Sequence, residues 1–420
     1  MSGLGDRVTA VSGSKMSDFD ILLDNSTLKG DAQVHGAIMK CVDKHGKTVY
    51  SKISGYDSIA PNANPLEDDA VVKLASATKL IASIALLQCV DKGLVGLDQS
   101  LTAILPELED KQILKAGVDG QLMYEKALTP ITTRHLLSHT SGLTYPFLHP
   151  LILKWKKTSE GMKRADSRKI VEKFNNPLIF EPGNGWAYGL SLDWAGVVVS
   201  RLHGNQNFED YCNEHIWAKV GLSAPYPTFH ISQHPDYRVR LMGAAARTPE
   251  GGLEEFEFWQ GDDPDGEEAG GHGLSATVRD MTTLLADLIS DHPKLLSATT
   301  RDLMFQPQIE HGTPGMAMLL QLRPVWETVA GPIVDEGANH GLGGFLTTKE
   351  VPEAGQPAGV LCWGGASNVV WFASREQGVS GFFATQIDPF GDPKTKELID
   401  AWKKDFWGDF NGSKESLVTQ

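Results

Sequence analysis

"ASATKLIASIALLQC", residues 75–89, sets Ser76 and Lys79 three apart at the head of a run with no charge after Lys79. Leu80, Ile81, Ile84, Ala85, Leu87 and Val90 occupy most of the circumference of a helix running from Ala75 to Lys92, with Gly93 as its stop. A helix apolar on nearly every side belongs at the centre of a fold. A lysine at its mouth is drawn toward burial, which disfavours the ammonium, and the positive end of the helix dipole acts in the same direction. Residues three apart share a face, so the amine reaches the Ser76 hydroxyl. A serine becomes a nucleophile when a base takes its proton, and a lysine relieved of its own proton is such a base. The spacing S-x-x-K alone is common, and an N-cap serine beside a solvated lysine is its more ordinary explanation. Ser12-Gly13-Ser14-Lys15 repeats it in a polar stretch with no apolar helix behind, and is set aside on that ground.

Working outward, residues 1–16 are Gly/Ser-rich and expected to form a flexible tail. In "SDFDILLDNSTLKG" (17–30), Ile21, Leu22 and Leu28 are expected on one helical face. "HGAIMKCVDKHGKTVYSKISGYDS" (35–58) reads as a hairpin around His45-Gly46. Residues 96–235 read as mainly helical, with "ADSRKIVEKFNNP" (165–177) and "SLDWAGVVVSRLHG" (191–204) the clearest helices, the second capped by Ser191 and stopped at Gly204. Beyond about residue 270 the period changes to that of strands: "PAGVLCWGGASNVVWFASREQGVSGFFATQI" (357–387) reads as three, and "DPKTKELIDAWKKDFWGDF" (392–410) as a closing amphipathic helix. Strands at both ends with helices between predict an α/β domain built from 17–95 and 236–420, with 96–235 inserted into it.

Bulk properties narrow the function. The chain has 420 residues, 41% hydrophobic and 22% charged, enough for one large or two moderate cores. A net charge of −15 without a basic block repels polyanions, so nucleic acid is excluded as a partner. No stretch reaches the roughly 18 apolar residues of a membrane span, and the N-terminus lacks the apolar core of a secretory signal, so a soluble, cytoplasmic protein is expected, without membrane partners. The sequence is silent on oligomeric state; a monomer is the expectation. Cys41, Cys89, Cys212 and Cys362 are far apart, without C-x-x-C spacing, and read as buried free thiols. No metal site or cofactor motif is present, and no G-x-S-x-G elbow anchors an α/β-hydrolase.

"LLSHTSGLTY" (136–145), "FEPGNGWAYGLSLDWAG" (180–196) and "LCWGGASN" (361–368), in that order after Ser76-x-x-Lys79, resemble the serine β-lactamase and penicillin-binding-protein superfamily, in its class C-like esterase branch. "RHLLSHTSGLTYPFLHPLI" and "YGLSLDWAG" are most similar to fungal polyketide acyltransferases of the lovastatin side-chain type. The similarity runs from roughly residue 30 to 400. It implies a class C-like fold, an antiparallel sheet flanked by helices with a mainly helical insertion. It also implies Ser76 as nucleophile, with Lys79 and the motif tyrosine Tyr188 as one coupled base. An oxyanion hole would form from the backbone N–H groups of Ser76 and, less securely, Ala366. Trp363 stands where β-lactamases carry a lysine that meets the substrate carboxylate. An indole cannot pair with a carboxylate, so penicillin-like substrates are disfavoured and an apolar or polycyclic ester would stack there instead. Gly364 and Gly365 would let the strand approach a bound acyl group.

Other features rank lower. Tyr145 and Phe147 either line an acceptor pocket or pack in the core. His139 is not required as a base, because this chemistry uses lysine and tyrosine. "GGHGL" (270–274) and "HGLGGF" (340–345) lack the G-x-G-x-x-G phosphate spacing and read as turns near the site. "LKWKKTSEGMKR" (153–164) is either a dock for an acyl carrier protein or, more simply, a solvated helix face. The expected function is acyl transfer from an ester or thioester to a hydroxyl of a polyketide-like metabolite. A carboxylesterase using water is the close alternative, a β-lactam-binding sensor a distant one, and loss of chemistry the furthest, disfavoured by the intact serine, lysine and tyrosine.

Overall fold

A computed structural model describes residues 16–258 and 266–418. Apart from Met16, the expected tail lies outside the described residues, and Ser12 and Lys15 lie outside them with it. The first helix, α1 (Asp18–Ser26), opens on a Ser17 capping box. It buries Phe19 and Leu23, four apart, and not the expected trio, since Ile21 and Leu28 are exposed. The Thr27 hydroxyl bonds Leu23 O and ends the helix before Leu28 can join its face.

The expected hairpin forms from β1 (Gly36–Asp43) and β2 (Thr48–Gly55). A short β3 (Val71–Lys73) leads through a single 3-10 turn, Ala75–Ala77, into α2 (Thr78–Asp91). All residues of α2 from Thr78 to Cys89 are buried, and Gly93 takes the positive φ (+67°) that ends it.

Between residues 96 and 235 lie α3 (Pro150–Lys156), α4 (Ser159–Ala165) and α5 (Ser191–Leu202), together with a two-stranded hairpin, Gln112–Ala116 with Leu122–Lys126, that the helical reading lacked. The stretch 165–177 is not one helix. Ala165 ends α4, and only Ile170–Lys173 forms a further turn. Lys111 holds the Asn175 amide oxygen (2.7 Å) and the Asn176 carbonyl, which ties the chain down just past that turn. Ser191 starts α5 but does not cap it: Leu190 is the cap residue, and the Ser191 hydroxyl instead meets Ser141 Oγ at 2.8 Å.

Further elements that frame the site include β4 (Ser275–Thr277), α6 (Val278–Ile289), α7 (Arg323–Ala330), β5 (Ala338–His340), β6 (Phe345–Thr347), β7 (Val360–Gly365), β8 (Val369–Ser374), β9 (Val379–Ala384) and α8 (Pro393–Val418). Seven strands form one antiparallel sheet in the order β2-β1-β9-β8-β7-β6-β5. Trp363, Trp371, Phe382 and Lys40 are register partners across β7, β8, β9 and β1, so they share one face. On the other face Phe372 and Phe383 pack against Trp402 of α8. One continuous hydrophobic cluster runs from the sheet through α2 into α5. All four cysteines are buried and free.

Candidate active site

Ser76 sits in the 3-10 turn, one residue after Ala75, whose φ of +46° is left-handed and unfavourable for a residue with a Cβ. The turn lifts the serine out of the buried helix: Ser76 is half-buried while Ala75, Ala77 and Thr78 are buried. Its side chain caps nothing, which removes the ordinary explanation of S-x-x-K. Lys79 is 2% exposed and donates to three oxygens: Ser76 Oγ at 3.2 Å, Tyr145 OH at 3.0 Å and Gly271 O at 2.9 Å. Its ammonium also lies 4.7 Å from the centre of the Tyr188 ring. Trp363 Nε1 donates to Tyr188 OH at 3.3 Å, so the indole is a neutral donor to the phenol as well as an apolar wall.

Ser76, Tyr145, Phe147, Tyr188, Trp363, Gly364, Gly365 and Ala366 all line one cavity of about 160 Å³. Every sequence-predicted residue except Lys79 therefore faces the same space, and Lys79 stands directly behind it. The glycines are required by close approach: a Cβ on Gly365 would lie 2.0 Å from Leu74 O, and one on Gly364 would lie 2.4 Å from Val369 O. This contact brings the end of β7, and Ala366 after it, against the turn that carries Ser76. Phe147 is 70% exposed at the rim and stacks on Tyr145 at 5.2 Å.

Tyr145 is both a cavity wall and a partner of Lys79, a role the two sequence readings did not include. Burial raises its pKa well above the ordinary tyrosine range, so its hydroxyl stays protonated. Behind Tyr188 lie His139, at 5.1 Å between ring centres, and His340, 5.5 Å from His139. Burial holds both far below the usual histidine range, His340 at about 4, which makes this wall neutral and leaves His139 no work as a base at neutral pH.

Asp193 was missed. It projects from α5 with no exposed surface, and its Oδ1 accepts from Gly271 N at 3.2 Å, the same peptide residue whose carbonyl receives Lys79. Its Oδ2 has no hydrogen-bond partner. Burial raises Asp193 to about 6 against the opposing pull of the Lys79 charge. "GGHGL" exists to let this happen: a Cβ on Gly271 would lie 2.6 Å from Asp193 Oδ2, and one on Gly270 2.3 Å from Leu192 O. The signal available in sequence was a carboxylate five residues after Tyr188 inside an otherwise apolar helix, which burial makes costly without a purpose. Leu148, His272, Val325, Val329 and Phe390 complete the cavity wall and carried no such signal. Among the described residues no cluster of side chains suits a metal ion, and no helix is long and apolar enough to cross a membrane.

The β-lactamase family model matches residues 27–401. An acyltransferase of Penicillium decumbens, calJ, is 52% identical over 94% of this chain and 99% of its own length. The lovastatin esterase of Penicillium rubens is 33% identical over 91% of this chain and 96% of its own. The unliganded simvastatin synthase of Aspergillus terreus superposes with a TM-score of 0.85 at 29% identity, covering 93% of this chain and 97% of that one. A Ser-Lys pair beside an apolar cavity, on this fold and among these relatives, makes the chain a member of the β-lactamase family in its fungal polyketide acyltransferase branch.

Proposed function

We propose that this protein transfers an acyl group from an ester or thioester donor to the hydroxyl of a polyketide-like metabolite through an acyl-Ser76 intermediate. The observation that carries the reading is the Lys79 ammonium within 3.2 Å of Ser76 Oγ and over the Tyr188 ring, at the base of an apolar cavity. Ser76 Oγ attacks the carbonyl and its proton passes to the Lys79–Tyr188 pair. The donor's C–S or C–O bond breaks, and the leaving sulfur or oxygen takes that proton. The acceptor alcohol then gives its proton to the same pair, attacks the acyl-enzyme and frees Ser76. Backbone N–H groups of Ser76 and Ala366 hold the oxyanion in both halves.

The cavity's size supports a division of the two substrates. About 160 Å³ falls below the roughly 300–1,000 Å³ of sites that enclose a drug-sized ligand. The short acyl chain therefore enters, against Val325, Val329 and Phe390, while a polycyclic acceptor docks at the open rim beside Phe147. The segment 96–235 acts as an inserted unit supplying Tyr145, Phe147 and Tyr188, with Ser76, Lys79 and Trp363 coming from the two-ended α/β part. Donors carried on an acidic carrier protein would meet α3 and α4, where Lys154, Lys156, Lys157 and Lys163 follow directly on the rim loop; crowding there, after burial itself, lowers Lys156 to about 8. No part of the reaction requires a cofactor, a second copy of the chain or a membrane, and a cytoplasmic monomer suffices.

Incubation with p-nitrophenyl butyrate, with and without an added alcohol, tests the reading. Burst release of nitrophenol with one butyryl unit by intact mass on wild type and none on Ser76→Ala is expected, with ester product and faster turnover when alcohol is present. Identical behaviour of the two proteins would overturn it. Turnover indifferent to alcohol would select the second reading, a carboxylesterase, which the 33% identity to a lovastatin esterase favours.

A further inference from the structure

In a protein of net charge −15, basic side chains converge on one groove away from Ser76. It has a volume of about 510 Å³, lies between β1, the β1–β2 turn, α6 and the loop after α6, and is lined by Lys40, Lys44, His45, Arg279, His292 and Lys294. The single carboxylate in its wall, Asp287, is already committed: its oxygens accept from the backbone of Lys294 (2.8 Å) and Leu295 (3.1 Å). Lys44 pairs with Asp291. Lys40, Arg279 and Lys294 have no ion-pair partner among the described residues. Four cations gathered from separate parts of the chain face one carboxylate in the wall, Asp287, and one ion-pair partner, Asp291, so the groove keeps a net positive charge.

We propose that this groove binds a small organic phosphate carrying two or more phosphoryl groups. A guanidinium fork among lysine ammoniums is suited to phosphoryl oxygens, which accept several charge-assisted hydrogen bonds at once. Thr48 and Ser290 add hydroxyls to the wall, while that of Thr283 donates to Arg279 O. The groove's volume lies within the range of small-molecule sites, and its concavity favours a compact anion over a flat acidic protein surface. The remaining acidic surface keeps longer polyanions away. Lys40 shares its sheet row with Trp363, three strand spacings or about 14 Å distant, so the ligand sits outside the acyl cavity.

Calorimetric titration of inorganic pyrophosphate into the full-length protein tests this. One saturable site is expected, weakened at least about tenfold in Lys40→Ala/Arg279→Ala and by higher salt, but unchanged in Lys349→Ala/Lys404→Ala, two exposed lysines outside the groove. Turnover of p-nitrophenyl butyrate without pyrophosphate should be the same in all three proteins. Should the first double variant melt early, Arg279→Gln alone serves in its place. Absence of saturable binding up to about 10 mM, or equal weakening in the two double variants, would overturn the proposal by leaving only diffuse surface charge.

Discussion

Lys79 and Lys111 are both buried, at 2% and 7% exposure, yet they do different things. Lys111 spends its donors on Asn175 Oδ1 and the Asn176 carbonyl, fixed acceptors that pin one stretch of chain, and burial lowers it to about 7. Lys79 spends its donors on a serine hydroxyl, a phenol and one carbonyl, two of which border a cavity. A buried lysine is thus no sign of catalysis by itself. Movable protons next to open space make the difference, and only Lys79 has both.

Paired substitutions would break this comparison if it is wrong. Lys79→Ala should lower acylation by p-nitrophenyl butyrate about 10³-fold or more while the protein stays folded. Lys111→Met should leave turnover within about twofold and change the pH dependence of stability instead. Because the folded pKa of Lys111, about 7, is below its ordinary 10.5, the unfolded chain binds more protons between those values. Its contribution to stability therefore rises with pH across that window, by up to about 5 kcal/mol, and the rise should vanish in the variant. Denaturant melts of both proteins from pH 7 to 10 would measure the difference, and loss of turnover in Lys111→Met would erase the distinction.

Asp193→Asn sharpens the comparison at Lys79's own surroundings. The carboxyl is held at about 6 against an ordinary 3.8, so the folded protein binds the extra proton between those values and stability falls as pH rises through them. At pH 7 the ionised group costs up to about 3 kcal/mol, which the neutral amide should recover as a higher melting temperature. Turnover should drop roughly tenfold or more, because the charge facing Lys79 through the Gly271 peptide is gone. A variant equally stable and equally active would show that Asp193 does nothing for the lysine.

The smallest effect is expected at Trp363→Phe, which keeps most of the apolar wall and removes the donor to Tyr188. A fall in kcat of about tenfold with KM nearly unchanged would assign the indole N–H to the phenol. A rise in KM alone would return Trp363 to the stacking role that its sequence position suggested.

The Ser76–Lys79 pair at the entry to α2 was legible because two local rules agree there: i,i+3 spacing puts the two on one face, and an uncharged run promises burial. The hairpin at His45-Gly46 and the strands around Trp363 were legible for another local reason, short extended runs broken by glycines and polar turns. Ser191 was misread as a cap because a distant group, Ser141, takes its hydroxyl, and the stretch 165–177 was misread because Ala165 ends one helix and only Ile170–Lys173 turns again before Lys111 ties down Asn175 and Asn176. Leu28 failed because Thr27, a capping residue, outweighed the apolar spacing.

From sequence alone, the central helix, its serine and lysine, the motif tyrosine and the substitution of tryptophan for a substrate-binding cation were determined, since each depends on neighbours within a turn or on a motif contiguous in the chain. The tertiary structure alone decided that Tyr145 bonds Lys79, that Asp193 stands behind it through Gly271, that the cavity beside Ser76 is small, and that Lys40, Arg279 and Lys294 share a groove. Those contacts join residues tens to hundreds of positions apart, and no local periodicity encodes which distant side chains a packed core will bring within 3 Å.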